Sequence, residues 1–201
     1  MAGTMPHAIF IETDVDGQGL VGAYAAELPG CAVFGATDDE AAGAMPMRVG
    51  RFTAWLREHG EPAPSFVGDN WYEVERAAAA ANRRAGFTLD ELPPSDDEFA
   101  TWLRWLELSR EELAEALDAG DPSAGIELLD AIERQDVAFV RELGGGAPEL
   151  SSDPIDRLYA ARDALTDALE AAGPDRDGVR RILRLAIADD LRASDALRSP
   201  A

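Results

Sequence analysis

The chain contains no lysine, only two histidines and a single cysteine, and the shortage of histidine and cysteine limits the chemistry that it can support. All 18 basic residues among the 201 are arginines. One cysteine cannot form an internal disulfide, so we expect a reducing, cytoplasmic environment. No apolar run approaches the ~18 residues of a membrane-spanning helix, and the N-terminus lacks the basic start and apolar core of a signal peptide. We therefore expect no membrane association.

The shortage of positive charge also argues against nucleic-acid binding. There are 39 acidic residues against 18 basic ones, which gives a formal net charge of −21. Nucleic-acid-binding proteins normally present a basic face, so we expect no direct binding of nucleic acid. A basic protein partner or a high-salt habitat fits this acidity better. The apolar content of 46% suffices for a packed core, and the length suits one large domain or two small ones.

The clearest local signal lies just before the first predicted helix. In Leu28-Pro29-Gly30 the proline fixes φ and the glycine permits positive φ, which predicts a turn leaving a strand. Cys31 to Phe34 predicts a short buried strand, and Gly35 ends it. Thr37 followed three residues later by Glu40 predicts a capping box at a helix start. The unit is therefore strand, turn, strand, capped helix.

This stretch resembles the HicB-like antitoxin domain. That family shows an acidic-Gly hairpin, a Leu-Pro-Gly-Cys turn, then Gly-x-Thr with an acidic helix start. Asp14-Val15-Asp16-Gly17, Leu28-Pro29-Gly30-Cys31 and Gly35-Ala36-Thr37 stand here in that order. The resemblance covers about residues 5–80 and implies an α+β module that binds a protein partner or self-associates. In antitoxins of this type the module carries a DNA-binding tail, which a helical region replaces here.

The first domain, residues 1–80, is predicted to contain an antiparallel sheet and one helix. His7 to Glu12, Leu20 to Glu27 and Cys31 to Phe34 form an antiparallel meander, and Phe66 to Arg76 suits a fourth strand. The helix runs from Asp38 to His59. Pro46 in its interior removes a backbone hydrogen bond, so we expect a kink or a split there. Residues 81–94 are predicted to be a linker running over the surface.

From residue 95 onward, apolar stripes at helical spacing predict four amphipathic helices that form a bundle. Ser95 and Glu98 form a second capping box, and Pro154 follows the cap Asp153. We find no internal repeat along the chain. The apolar positions of the four stripes are Phe99, Trp102, Leu103, Leu106, Leu113 and Leu117; Ile126, Leu129, Ile132, Phe139, Val140 and Leu143; Ile155, Leu158, Tyr159, Leu165 and Leu169; and Val179, Ile182, Leu183, Ala186, Ile187 and Leu191.

Residues 95–201 resemble the DinB-like helical bundle, the group that includes mycothiol-dependent transferases. The matching pieces are Trp102 to Glu111 and Arg180 to Asp190. Metal-dependent members use a triad of His ligands inside the bundle. His7 and His59, the two histidines of this chain, both precede it. We therefore expect no bound metal and no cofactor.

Two residues invite a chemical interpretation beside a structural one. Asp190 lies near the apolar stripe of the last helix and must find a partner or water. A salt bridge to an arginine such as Arg162 is favoured over a catalytic or metal role. Cys31 has no base nearby in sequence, so a buried thiol is favoured over a nucleophile.

Two functions stay open. The first is a non-catalytic interaction or regulatory protein, with a HicB-like module on a degenerate DinB-like bundle. The alternative is a DinB-like thiol or small-molecule transferase without the usual His-bound metal. A polar cavity between the helices with two or more convergent ionisable groups would favour the enzyme, and an apolar, filled core the interaction protein.

Overall fold

The structure is a computed structural model that describes residues 7–64, 71–80, 84–119, 122–149 and 151–198, without the side chains of residues 122–126. The chain divides into two compact units, Met1–Glu91 and Leu92–Ala201. The first combines a sheet with a helix, and the second is built from helices. The predicted α+β class is therefore confirmed. Among the described residues, no helix is long and apolar enough to cross a membrane.

The sheet of the first unit has four described strands in the order β3-β2-β1-β4. They are β1 (His7–Thr13), β2 (Val21–Ala25), β3 (Ala32–Gly35) and β4 (Trp71–Ala78). Strands β1, β2 and β3 form the predicted antiparallel meander. Strand β1 supplies the centre of the core, because its successive residues Ile9 to Glu12 are all buried.

The prediction of an antiparallel sheet is wrong for the fourth strand. Strand β4 pairs with β1 in parallel, which makes the sheet mixed. The reason is the helix α1 (Asp38–Glu58), which lies between β3 and β4 in sequence and carries the chain to the far edge of the sheet. A return through a helix brings the next strand in parallel to the one before it. The β4 pairing also has an irregularity between Ile9 and Phe10. The first part of the predicted fourth strand, residues 66–70, lies outside the described residues.

Helix α1 is continuous through Pro46, so it is not split there. It packs against β2 and β3. Met45 and Val49, on either side of the proline, are both buried. We attribute the continuity of the helix to this packing, which outweighs the one backbone hydrogen bond that proline removes.

The predicted linker at residues 81–94 is not a free connection over its described first part. Ala85, Phe87 and Asp90 are buried, and the ring of Phe87 stacks on Phe10 of β1 at 4.7 Å. The unit boundary falls after Glu91. Residues 84–91 therefore belong to the first unit, because Ala85, Phe87 and Asp90 turn inward although the sequence of this segment looks like a loop.

The second unit contains four described α-helices. They are α2 (Asp96–Ala119), α3 (Pro122–Glu142), α4 (Pro154–Ala172) and α5 (Val179–Arg198). Helix α2 packs chiefly against α5, and α3 chiefly against α4. An apolar cluster that draws on all four helices lies inside the unit and includes Leu113, Leu129, Leu158 and Ala193. Among the predicted stripe positions, Ile155 and Tyr159 are exposed, Leu103 and Leu143 are half-buried, the side chain of Ile126 lies outside the described residues, and all the others are buried.

Candidate functional site

Each helix of the second unit contributes one charged residue to a buried polar cluster. Arg110 lies on α2, Asp136 on α3, Arg162 on α4 and Asp190 on α5. Their exposed fractions range from 0 to 3%. The four side chains meet inside the unit, and we call them the ion-pair core. Charged residues are almost never this buried unless they are paired.

Arg110 binds both aspartates of the ion-pair core. Its Nη2 lies 2.9 Å from Asp136 Oδ2 and 2.9 Å from Asp190 Oδ1, while its Nε lies 3.3 Å from Asp190 Oδ2. Its Nη1 donates to the backbone carbonyl of Leu158, at 2.7 Å. The guanidinium is therefore bound through all three of its nitrogens.

Arg162 also contacts both aspartates. Its Nη2 donates to Asp190 Oδ2 at 2.9 Å, and its Nε donates to Asp136 Oδ2 at 3.2 Å. Ser109 Oγ lies 3.0 Å from Asp190 Oδ2. The two positive and two negative charges balance, which is the condition for burying so many ions together.

Burial and charge act on these groups in opposite directions. Burial raises the pKa of the Asp136 carboxyl, although Arg162 and Arg110 lower it. Burial and the charge of Arg110 hold the pKa of Arg162 below its usual value. For Arg110, burial is outweighed by the charges of Asp190 and Asp136, so its pKa is raised. Arg110 is therefore the arginine held more firmly in its charged form.

A second layer of polar contacts surrounds the ion-pair core. Gln135 Nε2 on α3 donates to Asp189 Oδ2 on α5 at 2.6 Å. Arg157 on α4 pairs with Asp130 and Glu133 on α3, at 2.6 and 2.7 Å. These pairs are partly exposed, so solvent screens them more than the core.

The predicted pair of Asp190 and Arg162 is present. The sequence interpretation missed Arg110 and Asp136. The signal that could have found them is the same as for Asp190, a charged residue at helical spacing within an apolar stripe. Arg110 lies four residues after Leu106 and three before Leu113, and all three side chains are buried.

The first unit has its own buried polar cluster. Glu12 is fully buried on β1 and accepts hydrogen bonds from Tyr24 Oη at 2.7 Å and from Arg84 Nη2 at 3.0 Å. The backbone N–H of Ala85 donates to Glu12 Oε1 at 2.6 Å. This cluster ties the segment after β4 to the sheet, and its residues satisfy one another.

The residues of the Leu-Pro-Gly-Cys turn contribute to packing and to the shape of the backbone. Leu28 and Cys31 are buried, and Gly30 has a φ of +87°. Burial raises the pKa of the Cys31 thiol to about 12, so it is a buried neutral thiol as predicted, not an activated nucleophile.

The capped helix start is present as well. Thr37 Oγ1 accepts from the Glu40 N–H at 3.2 Å, and the Glu40 carboxylate accepts from the Ala36 N–H at 2.9 Å. A Cβ on Gly35 would lie 3.0 Å from the Cβ of Glu40, so the glycine lets the strand end against the helix. Pro29 precedes Gly30 in the turn, where the Cys31 N–H donates to the Leu28 carbonyl at 2.9 Å.

Both histidines belong to the first unit, whereas the ion-pair core lies in the second. The ring of His7 lies against Trp71 at 4.7 Å, and the ring of His59 lies against Trp55 at 5.1 Å. Within the described part of the chain, no group of three or more His, Cys, Asp or Glu side chains is placed to hold a metal ion. A cation at Asp136 and Asp190 would have to displace an arginine.

No family model, no curated protein and no solved structure matches this chain. What the ion-pair core can do chemically therefore follows from its own geometry. Its carboxylates are saturated by guanidiniums, its guanidiniums are directed at carboxylates, and all four groups are shielded from solvent. Such an arrangement is suited to fixing helix positions rather than to meeting a substrate.

Proposed function

We propose that this chain is a non-catalytic interaction or regulatory protein, with a HicB-like partner-binding module and a degenerate DinB-like bundle as its scaffold. One observation carries the proposal. The ionisable groups that converge in the helical unit form ion pairs with one another and are almost completely buried. A catalytic acid, base or nucleophile must come within hydrogen-bond reach of its substrate, and these groups do not.

The HicB-like part of the proposal draws support from local structure. The Pro-Gly turn and the capped helix lie where the resemblance implies them. Strand β4 is an edge strand of the described sheet, and its Tyr72 and Val74 are large apolar side chains with exposed fractions of 47 and 51%. An exposed edge strand can accept a strand from a partner, with side chains that give specificity. We therefore assign partner binding to this edge.

The test is a comparison of two double variants. Tyr72→Ala with Val74→Ala alters the β4 edge, whereas Ile155→Ala with Tyr159→Ala removes similarly exposed apolar side chains from α4. The first partner to test is the protein encoded beside this one, because HicB-type antitoxins pair with a toxin. By titration calorimetry, the β4 variant should bind a partner more weakly by about tenfold, ~1.4 kcal/mol, and the α4 variant should not. Equal binding by both variants would remove the β4 assignment.

The second candidate is a DinB-like thiol or small-molecule transferase without His-bound metal. The convergence of Ser109 and four charged side chains at one place in the helical unit favours it. We expect no stoichiometric transition metal in elemental analysis of protein purified without a His tag, since residues 60–201 contain no imidazole. We also expect no thiol transfer when metals are added. One equivalent of zinc or nickel together with transferase activity would put the enzyme ahead of the interaction protein.

A further inference from the structure

Helices α2 and α4 share a sequence pattern that becomes visible once their core arginines are aligned. With Arg110 on Arg162, a shift of 52 positions, residues 106–119 align with residues 158–171 without a gap. Three further pairs exchange Asp and Glu. The expectation of a chain without internal repeats is therefore wrong for this part. The six identical pairs are Leu106 and Leu158, Arg110 and Arg162, Leu113 and Leu165, Ala116 and Ala168, Leu117 and Leu169, and Ala119 and Ala171.

Helices α3 and α5 correspond in burial rather than in sequence. With Asp136 on Asp190, the buried positions described for α3 all fall on buried positions of α5, although α5 also buries Arg181, Arg184 and Leu185, whose counterparts on α3 are exposed or half-buried. Gln135 and Asp189, which precede these aspartates, bond to each other. The buried pairs are Leu129 and Leu183, Ile132 and Ala186, Val137 and Leu191, and Val140 and Ser194.

The packing of the helices follows the same correspondence. We call α2 with α3 the first hairpin and α4 with α5 the second. If α2 is matched to α4 and α3 to α5, the closely packed pair of α2 and α5 corresponds to the other closely packed pair, α4 and α3. Each helix thus has its main neighbour in the other hairpin. The ion-pair core obeys the exchange too, because each arginine contacts both aspartates. The unit therefore has an approximate twofold relation through the ion-pair core.

One contact breaks this relation. Arg110 Nη1 donates to the carbonyl of Leu158, so its counterpart would be a bond from Arg162 Nη1 to the carbonyl of Leu106. Ser109 Oγ lies 2.9 Å from that carbonyl and 3.0 Å from Asp190 Oδ2, and its single proton is donated to one of these two acceptors at a time. Arg162 Nη1 is buried and has no hydrogen-bond partner among the described residues. The position equivalent to Ser109 is Ala161, which has no hydroxyl, so the Leu158 carbonyl stays open to Arg110.

We propose that the helical unit is one helical hairpin present twice in tandem, and that Ser109 occupies the carbonyl that would complete the second arginine. Arg162 Nη1 is then a binding site for one small, neutral hydrogen-bond acceptor, which is water in the free protein. A neutral acceptor fits because the core charges already balance, and an anion would bring an uncompensated buried charge. Buried polar groups without a protein partner are commonly bonded to water.

A matched pair of variants of the full chain tests the proposal. Ser109→Ala frees the Leu106 carbonyl for Arg162 Nη1, which offsets the loss of the Ser109 contact with Asp190 Oδ2, so its thermal midpoint should stay close to that of the parent. Ala161→Ser adds a hydroxyl that competes for the Leu158 carbonyl, so its midpoint should fall. A lower midpoint for Ser109→Ala, or an unchanged one for Ala161→Ser, would overturn the equivalence of the two halves.

High-resolution crystal structures of the parent and of Ser109→Ala test the acceptor site itself. In the parent we expect one water within hydrogen-bond distance of Arg162 Nη1. In Ser109→Ala we expect the Leu106 carbonyl to take that place. A parent structure in which a protein atom bonds Arg162 Nη1, or a variant in which the Leu106 carbonyl stays apart from it, would refute the site.

Discussion

Gly30 holds a backbone conformation that other residues resist. Its φ is +87°, and the turn it forms brings the buried Cys31 into the core. A side chain in the left-handed region costs ~1–2 kcal/mol, so Gly30→Val should lower the free energy of unfolding by about that amount. Urea denaturation followed by circular dichroism measures it. Gly43→Ala is the control, because a Cβ there meets nothing within 4 Å, and alanine in a helix should be neutral or stabilising.

Cys31 is a reporter of the intact first unit. Burial raises the pKa of its thiol to about 12, so the thiol stays protonated and shielded at ordinary pH. Because the folded-state pKa is raised, the stability that the neutral thiol contributes is complete below its unfolded pKa and is lost as the pH climbs toward 12. We expect almost no reaction with a disulfide reagent at pH 8, and one thiol released in denaturant. Rapid labelling of folded protein at pH 8 would contradict this assignment.

The structural role of some residues can be predicted from their neighbours in sequence, and that of others cannot. Thr37 and Gly30 act within a few residues of themselves, so turn and capping rules were enough to predict them. Arg110 and Asp136 depend on partners 26 to 80 residues away. Sequence spacing indicates that such a charge is buried, but not which opposite charge it meets.

At the level of helices and strands, the ion-pair core is the strongest candidate for an energetic centre. Asp190→Ala would leave two buried guanidiniums sharing Asp136, and breaking a buried pair in this way costs about 3–5 kcal/mol. Arg157→Ala is the control, since Arg157 pairs with Asp130 and Glu133 in partial contact with solvent. That loss should be much smaller, because solvent screens these pairs. Chemical denaturation measures the free energy of unfolding of both variants. Similar decreases in the two would show that the ion-pair core is not an energetic centre.

Helices were easier to predict than the partner of the fourth strand. The helical stripes of the second unit each contain enough turns to reveal their period, and all four helices are present. Strand β4 is different, because its pairing with β1 depends on where α1 delivers the chain. The sequence of a strand shows the alternation of its apolar and polar side chains, but it does not show whether the neighbouring strand runs parallel or antiparallel.

The two units of the chain can be predicted from the change between a glycine-rich, alternating sequence and continuous helical stripes. The exact boundary cannot, because it depends on which side chains of residues 84–91 are buried. Residues 84–91 have the composition of a loop, yet Phe87 and Asp90 are buried in the first unit. The Arg84 guanidinium is bound to Glu12. Because this ion pair holds Arg84 against the first unit, we expect slow tryptic cleavage after Arg84.

The charge of the whole molecule leads to a last prediction, that the protein does not bind duplex DNA specifically. A net charge of −21 repels phosphates, and many of the arginines are already bound to acidic side chains, as in the pairs of Arg76 with Asp38 and of Arg181 with Glu142. DNA affinity normally comes from free cations that displace counterions, so its loss with salt reports how many take part. We expect no anisotropy change with labelled duplex at low salt up to micromolar protein. Binding below one micromolar that weakens with added salt would show that a basic surface exists despite the overall charge, and would reopen a DNA-linked role for the first unit.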